Sequence, residues 1–481
     1  MDKFVATVAL IGIVIVVASL TSGIVERIGI PLVAAFLLLG AALGPYGFGL
    51  TNIQLDSPEL RVLAILGLAL VLFSDAVTVD IREIRARRRL AYVLLGPGTI
   101  LPAFIIALAG HWILGLGVAA SAILGAALAS TDPVLLRTLL RAPSLPTTTR
   151  VALRLESGMN DVVLLPVVVL STLALQHTTT MMGLELGRSL IGLFVLGPAL
   201  GALVGWVGIT MLATIRSRIG VRRDYESLYA LGLGFAAYAA AEAVGGSGFL
   251  AAFAAGLAIA ALDVELCDCF LEYGEATSEM LLLLTFVAFG TSLIWTGFSV
   301  LDWRTAGFAA IALVARTAVL YPVLSQIGVR GRDRTLISLF GPRGLSSLLL
   351  TLLPVFAGVG GATRLFTITC LVVLLSVVGH GAIIGFFLRT ASTRRSVLPF
   401  APQPGDASLP ATVPERVTID EVHELQKQGE DLIFVDARAP KSFNADDRQI
   451  TGSVRVPPDD PVRTARERRL SQRATLVVYC A

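Results

Sequence analysis

The sequence is poor in charge: Asp, Glu, Lys and Arg make up 15% of its 481 residues, against 55% hydrophobic, and the mean hydropathy is +0.79. That balance lies outside the range of ordinary soluble domains, and no nucleic-acid partner is expected. Cysteine is scarce too. The four residues Cys267, Cys269, Cys370 and Cys480 have neither the number nor the spacing of a disulfide framework or a zinc site, and the Cys267-x-Cys269 pair in an acidic loop reads as incidental. His111, His177 and His380 read as interfacial residues at span ends or in a loop rather than as proton relays. Nor is there a cleavable leader pattern: Met1 to Val25 holds one Lys and a long apolar run, which reads as a first spanning helix.

What is present is a series of apolar runs. A bilayer core needs about 20 apolar residues per helix, and on that basis thirteen spans are expected. They lie near Phe4–Val25, Ile30–Leu50, Leu60–Val79, Leu90–Ile113, Gly117–Leu140, Val151–Leu175, Leu190–Ile215, Tyr225–Val244, Phe249–Leu262, Glu279–Ile294, Trp303–Ile327, Thr335–Phe356 and Leu365–Leu388. Alternate loops carry the Arg clusters, from Arg82–Arg89 to Arg389–Arg395, so these loops are expected in the cytoplasm, with the N-terminus outside and the C-terminal tail inside. One loop on the cytoplasmic side is acidic instead, with Asp263, Glu265, Asp268, Glu272 and Glu275; it reads as a solvated loop or, alternatively, as a cation funnel.

Two spans are interrupted by proline, the fifth at Thr131-Asp132-Pro133 and the twelfth at Gly341-Pro342-Arg343-Gly344. They fall seven helices apart, so they run in opposite directions, as expected of two inverted repeats whose broken helices meet at the midplane. Proline frees carbonyls of the preceding turn, and within a membrane those groups need protein, water or an ion to satisfy them.

Intramembrane charge concentrates beside the first break. Asp132, Glu156 and Asp161 fall within about thirty residues, and each carboxylate costs roughly 2.5 to 3.5 kcal/mol at the bilayer centre; the usual compensating reason is an ion or proton pathway. Glu156 and Asn160 are one helical turn apart on one face. Asp161, Asp132, the Ser157 hydroxyl and a freed Thr131 carbonyl would supply hard oxygen ligands to a small cation. A monovalent ion suits the site, because part of the carboxylate charge should be cancelled from within the protein. Arg316, in the eleventh span with no other charge near it, is too costly to leave unpaired, and Glu156 is its expected partner. Arg343 at the second break is the alternative. Asp161 and Asp132 are then expected to be free to change partner.

Ser-Thr-Asp-Pro, Glu-Ser-Gly-x-Asn-Asp, an intramembrane Arg and Gly-x-Arg-Gly together resemble the NhaP-like sodium/proton exchangers of the first cation/proton antiporter class, over roughly residues 1–390. The resemblance implies a dimer in the plasma membrane and electroneutral exchange of one Na+ or K+ for one proton, with no enzymatic step and no cofactor. It places the ion ligands on Asp161, Asp132, Ser157 and the Thr131 backbone, the structural pair on Glu156 and Arg316, and supporting roles on Asn160 and Arg343. Pro133 and Pro342 mark the helix breaks. One departure stands out: where the family shows Leu-Phe-Glu in the third span, this chain reads Leu72-Phe73-Ser74-Asp75, which leaves the role of Asp75 open. The expected fold is an all-α membrane domain of about thirteen helices over 1–390, then a Pro-rich cytoplasmic linker over 391–415, then a partial α/β tail over 416–481.

The tail, with Asp431-Leu-Ile-Phe-Val-Asp-Ala-Arg438 and Thr475-Leu-Val-Val-Tyr-Cys480, resembles the first half of a rhodanese-like domain. The chain ends one residue after Cys480, so the anion cradle of that family is missing and sulfur transfer is not expected. The alternatives to an antiporter are a membrane-tethered sulfurtransferase, in which the intramembrane carboxylates would be dispensable, and a redox-regulated cation channel, which would conduct without coupled proton movement.

Overall fold

A computed structural model describes residues 32–51, 53–79, 81–142, 144–176, 187–188, 190–218, 223–262, 280–329 and 331–397, isolated positions at 12, 16, 17 and 277, and short pieces between 422 and 479. The first expected span therefore lies almost wholly outside the described residues, as do the acidic loop, Cys267, Cys269 and Cys480.

Two compact units divide at Val397 and Leu398. The first is helical throughout. In chain order it comprises α1 (Leu32–Leu43), α2 (Pro58–Val77), the short α3 (Ile81–Ala86), α4 (Arg88–Leu95), α5 (Pro97–Leu114), α6 (Val118–Ala129), α7 (Pro133–Arg141) and α8 (Thr147–Gln176). There follow α9 (Gly197–Arg218), α10 (Arg223–Ala243), α11 (Gly248–Ala261), α12 (Met280–Val300), α13 (Trp303–Gln326), α14 (Gly331–Leu339), α15 (Leu345–Phe356) and α16 (Ala362–Val397). Among the described residues, eight helical stretches are long and apolar enough to cross a membrane, and four further apolar helices are shorter. The protein is multi-pass.

Local chemistry sets most boundaries. Proline stands at the first helical positions of α2, α5 and α7, where its missing N–H costs nothing. Asp302 and Thr305 close a capping box at the start of α13, satisfying two of the otherwise orphaned N-terminal donors. At the other end of the chain, α16 runs to Val397 and so through the expected start of the linker. No proline interrupts it before Pro399, and Arg394 and Arg395 are good helix formers.

The helices pack through small residues, as they must where lipid supplies no hydrophobic drive for helix association. A Cβ added at Gly201 on α9 would collide with the Ala251 backbone on α11, and one at Gly205 would meet the Ala255 backbone. Such contacts bring helix axes close enough for dispersion to hold them. Most of the buried apolar side chains join one continuous core, with Phe286, Phe289, Phe308 and Phe366 fully inside it.

The two broken helices organise this unit. α6 stops at Ala129 and α7 restarts at Pro133; α14 stops at Leu339 and α15 restarts at Leu345. At the crossing the backbone N–H of Asp132 donates to the Pro342 carbonyl at 3.0 Å, so the two breaks pair with each other.

The second unit holds a three-stranded sheet of β1 (Leu432–Asp436), β2 (Val454–Arg455) and β3 (Thr475–Tyr479), in the order β2-β1-β3 with both pairings parallel. Asp436, buried at the end of β1, pairs with Arg438 at 2.7 Å, and that guanidinium holds the Asp436 carboxyl below the usual carboxylate range.

Gly201→Leu should destabilise the detergent-solubilised protein by about 1–3 kcal/mol through overpacking, read as a lower melting temperature. Gly232→Ala is the control: a Cβ there meets nothing within 4 Å, and the melting temperature should hold or rise.

Candidate ion site at the helix crossing

The site is built from four elements: the two breaks, α8 and α13. Ser130, Thr131, Asp132, Glu156, Ser157, Asn160, Asp161, Arg316 and Arg343 are all buried, each 3% exposed or less. Charges so placed persist only if each is compensated.

Asp132 compensates the crossing itself. One carboxylate oxygen accepts the Val134 N–H at 2.7 Å, capping α7, and the other accepts the Leu345 N–H at 2.5 Å, capping α15. A single side chain thus serves the positive dipole ends of half-helices from both repeats. The expectation that Asp132 is free to change partner does not fit this geometry, because both of its oxygens are engaged by backbone donors. The fit is close: a Cβ at Gly344 would run into the Asp132 carboxylate, so glycine is required there.

Arginines serve the negative ends. Arg343 donates from Nη1 to the carbonyls of Ala129 at 2.7 Å and Ser130 at 3.0 Å, where α6 ends. Arg316 donates from Nη1 to the Ser338 carbonyl at 2.8 Å, where α14 ends. The remaining edge of Arg316 forms a two-bond pair with Glu156, Nε to Oε1 at 2.6 Å and Nη2 to Oε2 at 2.5 Å. Arg343, the alternative partner for Glu156, instead reaches across to the first break. Arg343 is anchored through its backbone N–H, which donates to Ser376 Oγ at 2.6 Å, and Ser376 in turn contacts His380 Nδ1 at 3.1 Å.

Asp161 is held differently. Its carboxylate accepts the Ser130 hydroxyl and lies near the Ser346 hydroxyl, both mobile rotors rather than fixed backbone donors. Asn160, one residue back, donates from Nδ2 to Thr131 Oγ1 at 2.7 Å and ties α8 to the first break. Ser157 is buried, but its hydroxyl turns back toward the Arg154 carbonyl at 3.5 Å. Asp75 on α2 faces α8 beside the site, since a Cβ at Gly158 would lie 3.5 Å from the Asp75 side chain. A narrow crevice reaches the crossing between α2, α12 and α15, with Leu68, Val71, Leu282 and Leu349 in its lining beside Asp132 and Ser346.

Ser346 and Ser376 are missing from the sequence reading, Ser130 enters it only within the Ser-Thr-Asp-Pro motif, and His380 enters it only as an interfacial histidine. The signal for Ser346 is a hydroxyl pair, Ser346-Ser347, one residue after Gly-Pro-Arg-Gly, hence in the first turn of a restarted helix. For Ser376 there is no local signal. His380 corrects the interfacial reading of the histidines: it sits inside α16, 9% exposed, bonded to Ser376. His111 is exposed and bonded to the Leu116 carbonyl at 2.7 Å.

The sequence pattern described as "Sodium/hydrogen exchanger, transmembrane" matches residues 13–390. The K(+)/H(+) antiporter NhaP of Alkalimonas amylolytica is 25% identical over 389 residues, which are 79% of this chain and 66% of that protein. The K(+)/H(+) antiporter NhaP2 of Shewanella baltica is 29% identical over 395 residues, 81% of this chain and 66% of that one. The chain thus spans just under two thirds of the length of these relatives. Among solved structures, the sodium proton antiporter MjNhaP1 from Methanocaldococcus jannaschii superposes with a TM-score of 0.63 at 21% identity, covering 79% of this chain and all of that one, and shares its fold. On the match over 13–390, the chain belongs to the sodium/hydrogen exchanger family.

Proposed function

We propose that the protein is a secondary antiporter exchanging one monovalent cation, Na+ or K+, for one proton, electroneutrally, at Asp161 with Asp132 beside it. The observation that carries this reading is the charge count at the crossing. Asp132, Glu156 and Asp161 face Arg316 and Arg343, all buried, so three carboxylates meet two guanidiniums and one negative charge is left over. Asp75 and Arg137 at the margins add one charge of each sign. A single proton or a single monovalent cation neutralises what remains, and a neutral site crosses low dielectric at far lower cost than a charged one.

Asp161 is the group that exchanges its ligand. Glu156 is committed to Arg316 and Asp132 to two backbone donors, whereas the partners of Asp161 are hydroxyls that rotate without breaking the fold. Ser157 and the Thr131 carbonyl are the further oxygens that the sequence reading brings to the cation. The relatives' names support cation/proton exchange, and they differ between K+ and Na+. The Arg clusters support a plasma-membrane protein with its N-terminus outside, and the family resemblance supports a homodimer. Regulation of internal pH is the role such exchange would serve.

Proton flux in inverted vesicles, with Na+, K+ and Li+ added in turn, tests the reading. Asp161→Asn should reduce cation-dependent flux to background while leaving the melting temperature equal or higher, because a buried charge is removed. Persisting exchange in that variant would refute the assignment. Glu156→Ala should do the opposite to stability: it strands Arg316 and should cost about 3–5 kcal/mol of folding free energy, seen as poor yield and early melting. Since proton and cation compete, each unit of acidification within the proton-bound range should raise the apparent KM for the cation by about tenfold; a KM independent of pH would contradict competition at one site.

A further inference from the structure

We propose that Ser346 is a cation ligand contributed by the second repeat, facing Ser130 of the first across Asp161, and that it sets the preference among monovalent cations. This rests on the exchange reading above and deepens it.

Three observations converge on Ser346. It is 5% exposed and lies in the first turn of α15, so its position follows from where the half-helix restarts. Its hydroxyl lies near the Asp161 carboxylate. And it lines, with Asp132, a crevice that reaches the crossing. The rest of that lining is apolar, Leu68, Val71, Leu282 and Leu349 among it; its one neutral side-chain oxygen is that of Ser346, beside the Asp132 carboxylate.

The other oxygens nearby have prior engagements. The Thr131 hydroxyl accepts from Asn160, and the Ser157 hydroxyl is turned toward the carbonyl of Arg154 on its own helix. Both oxygens of Asp132 hold backbone donors. Ser130 and Ser346 differ in that both stand beside Asp161 as rotatable hydroxyls, Ser130 donating to its carboxylate. When a cation arrives, rotation about the Cβ–Oγ bond withdraws each proton and presents a lone pair, with no backbone movement. A proton on Asp161 needs no such rotation of both.

A hydroxyl ligand matters most to the ion that gives up most hydration. Li+ and Na+ hold water more tightly than K+, so losing one protein oxygen should penalise them more. A water that replaces the hydroxyl recovers part of the lost coordination, so the expected loss is about three- to tenfold in affinity.

The test uses the full chain in proteoliposomes, with proton flux measured against Na+, K+ and Li+ at fixed pH, beside cation-induced thermal stabilisation of the detergent-purified protein. Ser346→Ala should raise the KM for Na+ and Li+ by about three- to tenfold, raise that for K+ less, and leave kcat within about twofold. Its cation-induced stabilisation should weaken in the same order. Ser346→Thr, which keeps the hydroxyl, should restore most of the affinity. Ser347→Ala, removing a neighbouring buried hydroxyl that lacks a hydrogen-bond partner, should leave all three KM values unchanged. KM values for Ser346→Ala within twofold of wild type for every cation would overturn the proposal. So would a Ser346→Thr protein as impaired as Ser346→Ala, or a loss of kcat alone. If the wild-type protein itself shows no cation-dependent proton flux, the exchange reading fails and not merely the role of Ser346.

Discussion

Four dipole ends meet in the middle of this protein, and the structure depends on their being neutralised there. Breaking two helices at one depth leaves unsatisfied N–H groups at two N-termini and unsatisfied carbonyls at two C-termini, in a medium where water is scarce. Asp132 answers both N-termini, Arg343 answers the end of α6, and Arg316 answers the end of α14. These are the charge-assisted bonds that stay strong in low dielectric. They also cross between repeats: the carboxylate of the first break caps a helix of the second, and the guanidinium of the second break caps a helix of the first.

That reciprocity has a consequence for chemistry. Because Asp132, Arg316, Arg343 and Glu156 are spent on holding the crossing, the only carboxylate whose partners can turn away cheaply is Asp161. Rigid neighbours position it, and on the proposed reading one proton or one cation there offsets the surplus negative charge of the crossing. A site of this kind needs no large rearrangement to accept either ligand. It needs one ligand at a time, which is the condition for exchange rather than leak.

Much of this is readable before the structure. The breaks announce themselves through Pro133 and Pro342, since proline in an apolar run has few innocent explanations, and Arg316 asks for a carboxylate because an unpaired guanidinium in lipid is so costly. Other features are not readable, for reasons of geometry. That Arg343 would reach Ala129 and Ser130, more than two hundred residues away in sequence, depends on which half-helix lies beside it. Ser376 and His380 look like ordinary residues of a packed helix until the second break is laid against them. The engagement of both Asp132 oxygens was likewise hidden, because capping of α15 depends on a contact between repeats that no local pattern encodes. The tail yields less: its parallel strands β1 and β3 follow the two apolar runs expected there, and Cys480 lies outside the described residues.

The central claim is that one proton and one monovalent cation exclude each other at Asp161. Calorimetric titration of the purified protein with cation, repeated in buffers of different ionisation enthalpy, measures the protons released per cation bound. Competition at a site with one surplus negative charge predicts release approaching one proton per cation below the pH at which the site empties, and none in Asp161→Asn. Cation binding with no proton release at any pH would contradict the account.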